Sequence, residues 1–385
     1  MKDDVLFEVT KDHMETGLRG IPVGYCTTSY VDPQKGLFYV GRPVSEICKW
    51  EPIQAIYLLV HGQEGSADQV KQFEDDLRNR GKCSEEVVGH IQALPKKGHP
   101  MDLFSSAIMI LGMFEATGNY KEDALNLIAK LPHLVAVVIN YHAGWGDTPS
   151  PQPDLGYMEN FAHMLNVPDA DPELLTQALK LFNVLHYDHG GGNLSAFVGK
   201  AVASSLEHLY GAIAAAMNAL AGPRHGKANQ DSLEFVQKVL DEVGENATAQ
   251  QVEKLIRDRL ERKDLVFGFG HAVLRVEDPR ATVMYEFVQK YYPNHPLVKI
   301  AHLLRTEGSK VLSENPKIAD PHPNVDAISG TMLTVVGFKY PEYFTILFGL
   351  SRSIGIAIQI VYERMEARDG KGTPIIRPKY LYKGR

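Results

Sequence analysis

From Asp171 onward the chain carries a regular apolar stripe: Leu175, Leu179, Phe182 and Leu185 return every three or four positions. That is the period of one helix face. Asp171 and Pro172 open the stretch with a capping carboxylate and a proline in the first turn, where its missing N–H is not needed. The same period predicts helices over roughly 102–118, 122–141, 194–220, 231–243, 248–262, 279–291, 296–314, 327–338 and 342–367. Alternation of apolar and polar positions is confined to residues 17–44, GLRGIPVGYCTTSYVDPQKGLFYVGRPV, and predicts two or three short strands. No βαβ alternation, repeat or low-complexity tract interrupts the pattern. The expected fold is therefore all-α, with a small β decoration near the N-terminus.

Within this pattern two features stand apart. YFTILFGLSRSIGIAIQIVY (343–362) is as long as a membrane span but carries Arg352 and Gln359 in its interior, which suits a helix buried inside a protein. No other stretch is expected to span a membrane. Residues 225–320 are more charged and more evenly amphipathic than their flanks, as in DSLEFVQKVLDEVG and TAQQVEKLIRDRLERK. This predicts a smaller lobe over 225–330, inserted into a larger one built from 1–224 and 331–385. A cleft between two lobes is a favoured place for a small ligand.

Length and composition agree with such an arrangement. A chain of 385 residues exceeds one ordinary core, and 44% hydrophobic with 23% charged residues indicates a folded protein. A net charge of −7 offers no general attraction for nucleic acid or anionic lipid, so an anionic ligand would need local recognition. Cys26, Cys48 and Cys83 are scattered and odd in number, which fits a reducing compartment and neither a disulfide scaffold nor a thiolate zinc site. The start, MKDDVLFEV, has the features of neither a secretion signal nor a transit peptide, so a cytoplasmic location is expected.

Several polar residues sit where packing alone does not explain them. Arg352 is the only charge between Ile346 and Val361; burial of an unpaired guanidinium is costly, so an anion or a structural Asp or Glu should face it. In DPR, Asp278 caps a helix, Pro279 opens it and Arg280 falls in the first turn, where the helix dipole disfavours a cation by roughly 0.3–1 kcal/mol. A bound anion reverses that preference; an exposed head group would escape it. His186 and His189, three apart at the end of their helix, would share a face as hydrogen-bonding groups on a cleft wall. No carboxylate motif completes a metal set with them, and no metal is expected. GGGN then breaks the helix, and Asn193 can cap the next. His225 and His271 follow glycine- or proline-rich breaks, where backbone and ligand can approach closely. Asp326, in PNVDAISG, reads as a helix cap. GFGHAV lacks the third glycine and the preceding strand of a dinucleotide loop.

Taken together, LAGPRHGKAN, GFGHAVLRVEDPR, PNVDAISG, LFGLSRSIG and IIRPK occur in the order and at about the separations found in the citrate synthase family, with HYDHGGGNLSAF and GLRGIPVG upstream. The chain resembles that family over nearly its whole length. The resemblance implies a nearly all-helical homodimer whose two lobes close over oxaloacetate and acetyl-CoA. It implies an acyltransferase of the tricarboxylic acid cycle that needs no cofactor, because acetyl-CoA is a substrate. Asp326 would be the base toward the acetyl methyl, His225 the donor to the enolate oxygen, and His271 the donor to the oxaloacetate ketone. His189, Arg280 and Arg352 would hold oxaloacetate, with Arg377 of IIRPK lent to the other subunit.

Coenzyme A would meet Arg275 and the loop Leu265, Val266, Phe267, Gly268, Phe269 and Gly270. Three departures accompany the likeness. Phe267 stands where many relatives have proline. Lys317 is offset from the lysine that usually precedes PNVDA, and DHGGGN replaces DHEGGN. The extra N-terminal β region of the hexameric, NADH-inhibited branch is missing, which favours a dimer. A 2-methylcitrate synthase using propionyl-CoA, a citryl-CoA-cleaving relative and a non-catalytic protein of the same fold are the alternatives.

Overall fold

The computed structural model describes residues 5–384, so the first four residues of the segment read for a targeting signal lie outside it. Its one sheet joins strands β1 (Ser29–Asp32), β2 (Gly36–Tyr39) and β3 (Arg42–Pro43), antiparallel and in that order. Ser29 pairs with Tyr39 and Asp32 with Gly36. The β1–β2 turn is closed by the Asp32 carboxylate, which accepts from the amides of Gln34 (2.8 Å) and Lys35 (3.0 Å). A Cβ at Gly36 would lie 2.5 Å from Pro279 Cγ, so glycine lets the hairpin rest on the first residue of the helix that carries Arg280. The Arg275 amide donates to Pro33 O (2.9 Å) from the same side. The small sheet is thus a buttress for the 275–280 segment. Only the second half of the alternating region pairs; residues 21–28 form no strand.

The helix Phe344–Val361 is buried along almost its entire length. Around it pack Tyr120–Ala143, Pro172–His186, Leu194–Ala203 and Leu209–Leu220. Small residues permit the closest approaches. A Cβ at Gly349 would lie 2.8 Å from Phe104 Cε1, and one at Gly355 would overlap the Tyr187 carbonyl. Two helical runs among the described residues, Tyr120–Ala143 and Pro341–Glu366, are long and apolar enough to cross a membrane, whereas only the second was expected to come close. Their apolar windows are 78% and 83% buried inside the fold, as befits interior helices.

The expected single helix over 194–220 is two, Leu194–Ala203 and Leu209–Leu220. Leu206 takes a left-handed φ of 71° at the break, and the His208 ring accepts from Gly211 N (3.0 Å) to start the second. Among the described residues five α-helices escaped the periodicity: Val44–Ile47, Pro52–His61, Ala67–Arg80, Glu85–Gln92 and Tyr157–Met164. Their starts were legible in part. Ser66 and Gln69 form a reciprocal capping box, and Ser84 accepts from Val87 N (3.3 Å).

Helices Ala228–Val243, Pro279–Tyr291 and Pro296–Leu303 all pack on Asp326–Val335, which also touches Pro172–His186. Asp326–Val335 runs unbroken across residue 330, the expected end of the smaller lobe. The chain turns away only at Gly337 (φ 104°), where a Cβ would lie 2.8 Å from Ala170 Cα.

Candidate active site

Arg352 lies on the central helix with 2% of its surface exposed. Its Nε donates to His186 O (3.1 Å) and its guanidinium stacks 4.7 Å above the Phe348 ring. No carboxylate among the described residues forms an ion pair with it. Burial pulls its pKa down to about 10, Asp188 opposes that shift, and Arg280 adds to it. Of the two readings of a lone charge in an apolar helix, the structural carboxylate is the one not found.

Arg280 behaves differently from either expectation. It is neither exposed nor waiting for an anion alone, because Asp278 grips it. One Asp278 oxygen accepts from Arg280 N (3.0 Å) and Nε (3.0 Å), and the other accepts from Nη2 (2.6 Å). Asp278 therefore caps the helix and neutralises the cation that the dipole disfavours. Burial alone would raise the Asp278 pKa, but the guanidinium overrides it and holds the carboxyl below its usual range. Arg280 Nη1 makes no hydrogen bond to any described residue.

His186 and His189 do not share a face. The helix ends at His186, whose ring stacks on Phe182 (4.1 Å) and bonds its carbonyl through Nδ1 (2.7 Å). That ring is core. His189 lies beyond the helix end, 5.3 Å ring to ring from His271, and its Nε2 is buried without a partner. A buried imidazole nitrogen that bonds no protein group is free to meet a water or a ligand atom. Burial first, then Arg280, Arg352 and His271, push the His189 pKa well below the ordinary imidazole value.

What fixes His189 is Asp188, a residue the sequence reading passed over. Its fully buried carboxylate accepts from Gln359 Nε2 (2.7 Å) and His189 N (2.9 Å) at Oδ1, and from Ser29 Oγ (2.8 Å) and Thr28 Oγ1 at Oδ2. The Gly190 amide returns a bond to Ser29 Oγ (2.7 Å). Three separate parts of the chain meet on one carboxylate.

His271 and Asp326 are brought together by a laced pair of loops. Gly270 N donates to His322 O (3.1 Å), Asn324 N to Gly268 O (2.9 Å) and Asn324 Nδ2 to Gly270 O (3.0 Å). Gly268 (φ 82°) allows this closeness, since a Cβ there would lie 2.8 Å from Ala327 Cα. Asp326 is not the cap it resembled. It is the first helical residue, its amide donates to Asn324 Oδ1 (3.0 Å), and its carboxylate is left out of the capping. Burial raises its pKa to about 6; Arg280 pulls it back and Asp278 pushes it further. Such a carboxylate is ionised at neutral pH yet basic enough to take a proton.

The two loop histidines have assigned tautomers. The amides of Val273 (3.0 Å) and Leu274 (2.9 Å) both donate to His271 Nδ1, which leaves the ring proton on Nε2. Ser195 N donates to His225 Nε2 (3.2 Å), which leaves the proton on Nδ1. An amide can only donate, so each nitrogen facing one must accept. Burial lowers both pKa values to about 4, aided by Arg280 at His271 and by Arg352 at His225. Both rings are neutral donors at physiological pH. Asn193 supports the second of them: its Oδ1 accepts from Ala196 N (3.1 Å), as the expected cap, and from Ser195 Oγ (2.9 Å). The Phe348 ring joins the two halves, edge-on to His225 (6.4 Å) and beneath Arg352.

The remaining expected residues lie further out. Leu265 is exposed and its carbonyl accepts from Arg259 Nη2 (2.8 Å), while Val266 and Phe267 are half-buried. Arg275 and Lys317 are exposed. Arg377 is exposed, in a C-terminal segment without secondary structure, and bonds no described residue of its own chain. Among the described residues no three His, Cys, Asp or Glu side chains gather in a way that could hold a metal.

Two guanidiniums, one paired with Asp278 but with Nη1 free and one without a carboxylate partner, thus gather with three uncharged imidazoles and one basic carboxylate. That set suits an anion with more than one charge beside a group that loses a proton. Comparison with known proteins points the same way. The family profile described as citrate synthase, C-terminal domain, matches residues 17–379. The mitochondrial citrate synthase of Citrus maxima is 37% identical over 398 residues, covering 97% of this chain and 83% of that protein. Among solved structures, the citrate synthase of Thermotoga maritima superposes with a TM-score of 0.80 at 27% identity, over 96% of this chain and 95% of its own. The ternary complex of the Thermoplasma acidophilum citrate synthase with carboxymethyl coenzyme A and oxaloacetate shares the fold at a TM-score of 0.82 and 24% identity, over 96% of both chains. In sequence and in fold alike the match runs nearly end to end, and the chain belongs to the citrate synthase family.

Proposed function

We propose that Asp326, His225 and His271 condense acetyl-CoA with oxaloacetate, and that the citryl-CoA formed is hydrolysed to citrate and CoA. The acyltransferase activity itself comes with the family. The observation that carries the assignment of roles is the pair of fixed tautomers. His225 offers Nδ1–H and His271 offers Nε2–H, both neutral, and Asp326 is a carboxylate whose pKa is raised to about 6. In this reading Asp326 takes a proton from the acetyl methyl, and the C–H electron pair becomes the enolate. Nδ1–H of His225 donates to the thioester oxygen as it gains charge. The enolate carbon then attacks the ketone carbon of oxaloacetate, and the ketone oxygen takes its proton from Nε2–H of His271. Water finally adds at the acyl carbon as the C–S bond breaks; its two protons go to the CoA thiolate and back to His271, and the proton on Asp326 leaves to solvent.

Oxaloacetate is held, in the same proposal, by Arg352, by the free Nη1 of Arg280 and by the unpartnered Nε2 of His189. Forked guanidiniums on two carboxylates would fix the ketone beside His271. The relative from Thermoplasma acidophilum is complexed with oxaloacetate, a four-carbon dianion of the kind that such a pocket suits. CoA would run along Leu265–Gly270 and Arg275. Acetyl-CoA is the proposed acyl donor, and the runner-up is propionyl-CoA. One methylene is worth ~1–3 kcal/mol, so kcat/KM for acetyl-CoA should exceed that for propionyl-CoA by about 10–200-fold. A reversed ratio would reassign the chain to 2-methylcitrate synthesis.

The exposed Arg377 is proposed to complete the site of a second copy in a homodimer. Arg377→Ala and Asp326→Asn would each be inactive or nearly so. Mixed dimers of the two should regain up to about half of wild-type activity per hybrid, because one of the two sites then receives both native residues. No recovery in a verified hybrid would exclude a shared site.

A further inference from the structure

The helix Pro296–Leu303 does not continue as a regular α-helix. Residues Leu304–Gly308 widen into a π turn before Ser309–Ser313 resumes. Such a turn is rare, occurs mostly as a single turn inside an α-helix and is frequent at functional sites. In an α-helix, residues three apart share a face; here Arg305 and Gly308 serve two different segments of the active site.

Gly308 receives the ring of Phe269. A Cβ at 308 would overlap Phe269 Cζ and lie 2.9 Å from Cε1 and Cε2. Phe269 is two residues from His271, in the loop laced to Asn324. Arg305 forks onto Glu277, with Nε to Oε2 at 2.8 Å and Nη2 to Oε1 at 2.5 Å, and lies 4.4 Å above the Tyr285 ring. Thr282 Oγ1 also donates to Glu277 Oε1 (2.6 Å). Glu277 adjoins Asp278, the carboxylate that grips Arg280. One turn therefore reaches both the donor loop and the anion-binding arginine.

We propose that the π turn Leu304–Gly308 is a positioning element that sets His271 and Arg280 in register, Gly308 acting through Phe269 and Arg305 through Glu277. Neither residue meets substrate. The proposal rests on the roles given above to His271 and Arg280; the wild-type rate of CoA release tests the reaction separately, so the two can fail independently.

A double-mutant cycle tests the first half. Gly308→Ala should lower kcat about tenfold or more in a folded protein, because the added methyl displaces Phe269. Phe269→Leu removes the far end of the ring, and in that background the same change at 308 should cost less than about twofold. An equal loss in both backgrounds, or an unchanged kcat in Gly308→Ala, overturns the proposal. Should Gly308→Ala fail to fold, Arg305→Lys carries the test alone, since lysine keeps the charge but cannot span both Glu277 oxygens. KM for oxaloacetate should rise at least about fivefold while KM for acetyl-CoA stays within about twofold. Equal changes in the two, or none in either, overturn it.

Discussion

Asparagine at position 326 should lower kcat by about 10²–10⁴-fold, the usual worth of a positioned general base, while oxaloacetate binding stays within about threefold of wild type. The substitution keeps the shape and removes only the proton acceptor. In the wild-type enzyme the rate should rise with pH through about 6, because the carboxyl must be ionised to act and burial has raised its pKa to that value. No histidine limb should appear between pH 6.5 and 7.5 in the free enzyme, since His225 and His271 are held to about 4. The sign for stability runs opposite to that for activity. A carboxyl whose folded pKa lies above its ordinary 3.8 stabilises the fold when protonated and loses that contribution as pH rises through about 6. The Asp326→Asn protein should accordingly melt at or above the wild-type temperature at pH 7. A variant that turns over undiminished would remove Asp326 from the chemistry.

Glutamine at position 352 should weaken oxaloacetate binding by about 30-fold or more, within the 2–5 kcal/mol typical of losing one partner from a buried charge pair. The free protein should lose no stability. Its Arg352 charge is buried without a carboxylate partner and its pKa is already drawn down to about 10, so the cost of burial disappears with the charge. The same variant tests the two-lobe proposal. Arg352 and His189 belong to the larger proposed lobe, Arg280 and His271 to the smaller, and a dianion spanning them would favour the closed state. Acetyl-CoA affinity in the wild type should then rise when a non-reacting oxaloacetate analogue is bound, with reciprocal enhancement. Titration calorimetry should find that coupling reduced in Arg352→Gln. Equal acetyl-CoA affinity with and without the analogue in the wild type would rule out closure.

How much of this was legible in the sequence depended on whether a residue's reason was local. Arg352 announced itself because no other charge lies between Ile346 and Val361, and burial is indeed where its cost arises. The glycine-flanked turn before His271 was legible too, since Gly268 and Gly270 do take positive φ there. Asp326 was recognisable only through its motif; from local pattern it passed for a cap, and Asn324 holds its amide instead. Asp188 was beyond local reading altogether. Thr28, Ser29 and Gln359 reach it from about 160 and 171 positions away in the chain, and nothing near residue 188 announces them. His186 and His189 misled because the helix stops between them. The tautomers of His225 and His271 depend on amides at 195, 273 and 274, and single N–H directions are not written in a residue pattern.

The most direct test of the account is free-CoA release from acetyl-CoA by the purified protein, measured with and without oxaloacetate, in wild type and in Asp326→Asn. The wild type should give one CoA and one citrate per oxaloacetate consumed, with negligible CoA release when oxaloacetate is omitted, and the variant should lose the reaction. CoA release at the same rate without oxaloacetate, or none with it, would contradict the account.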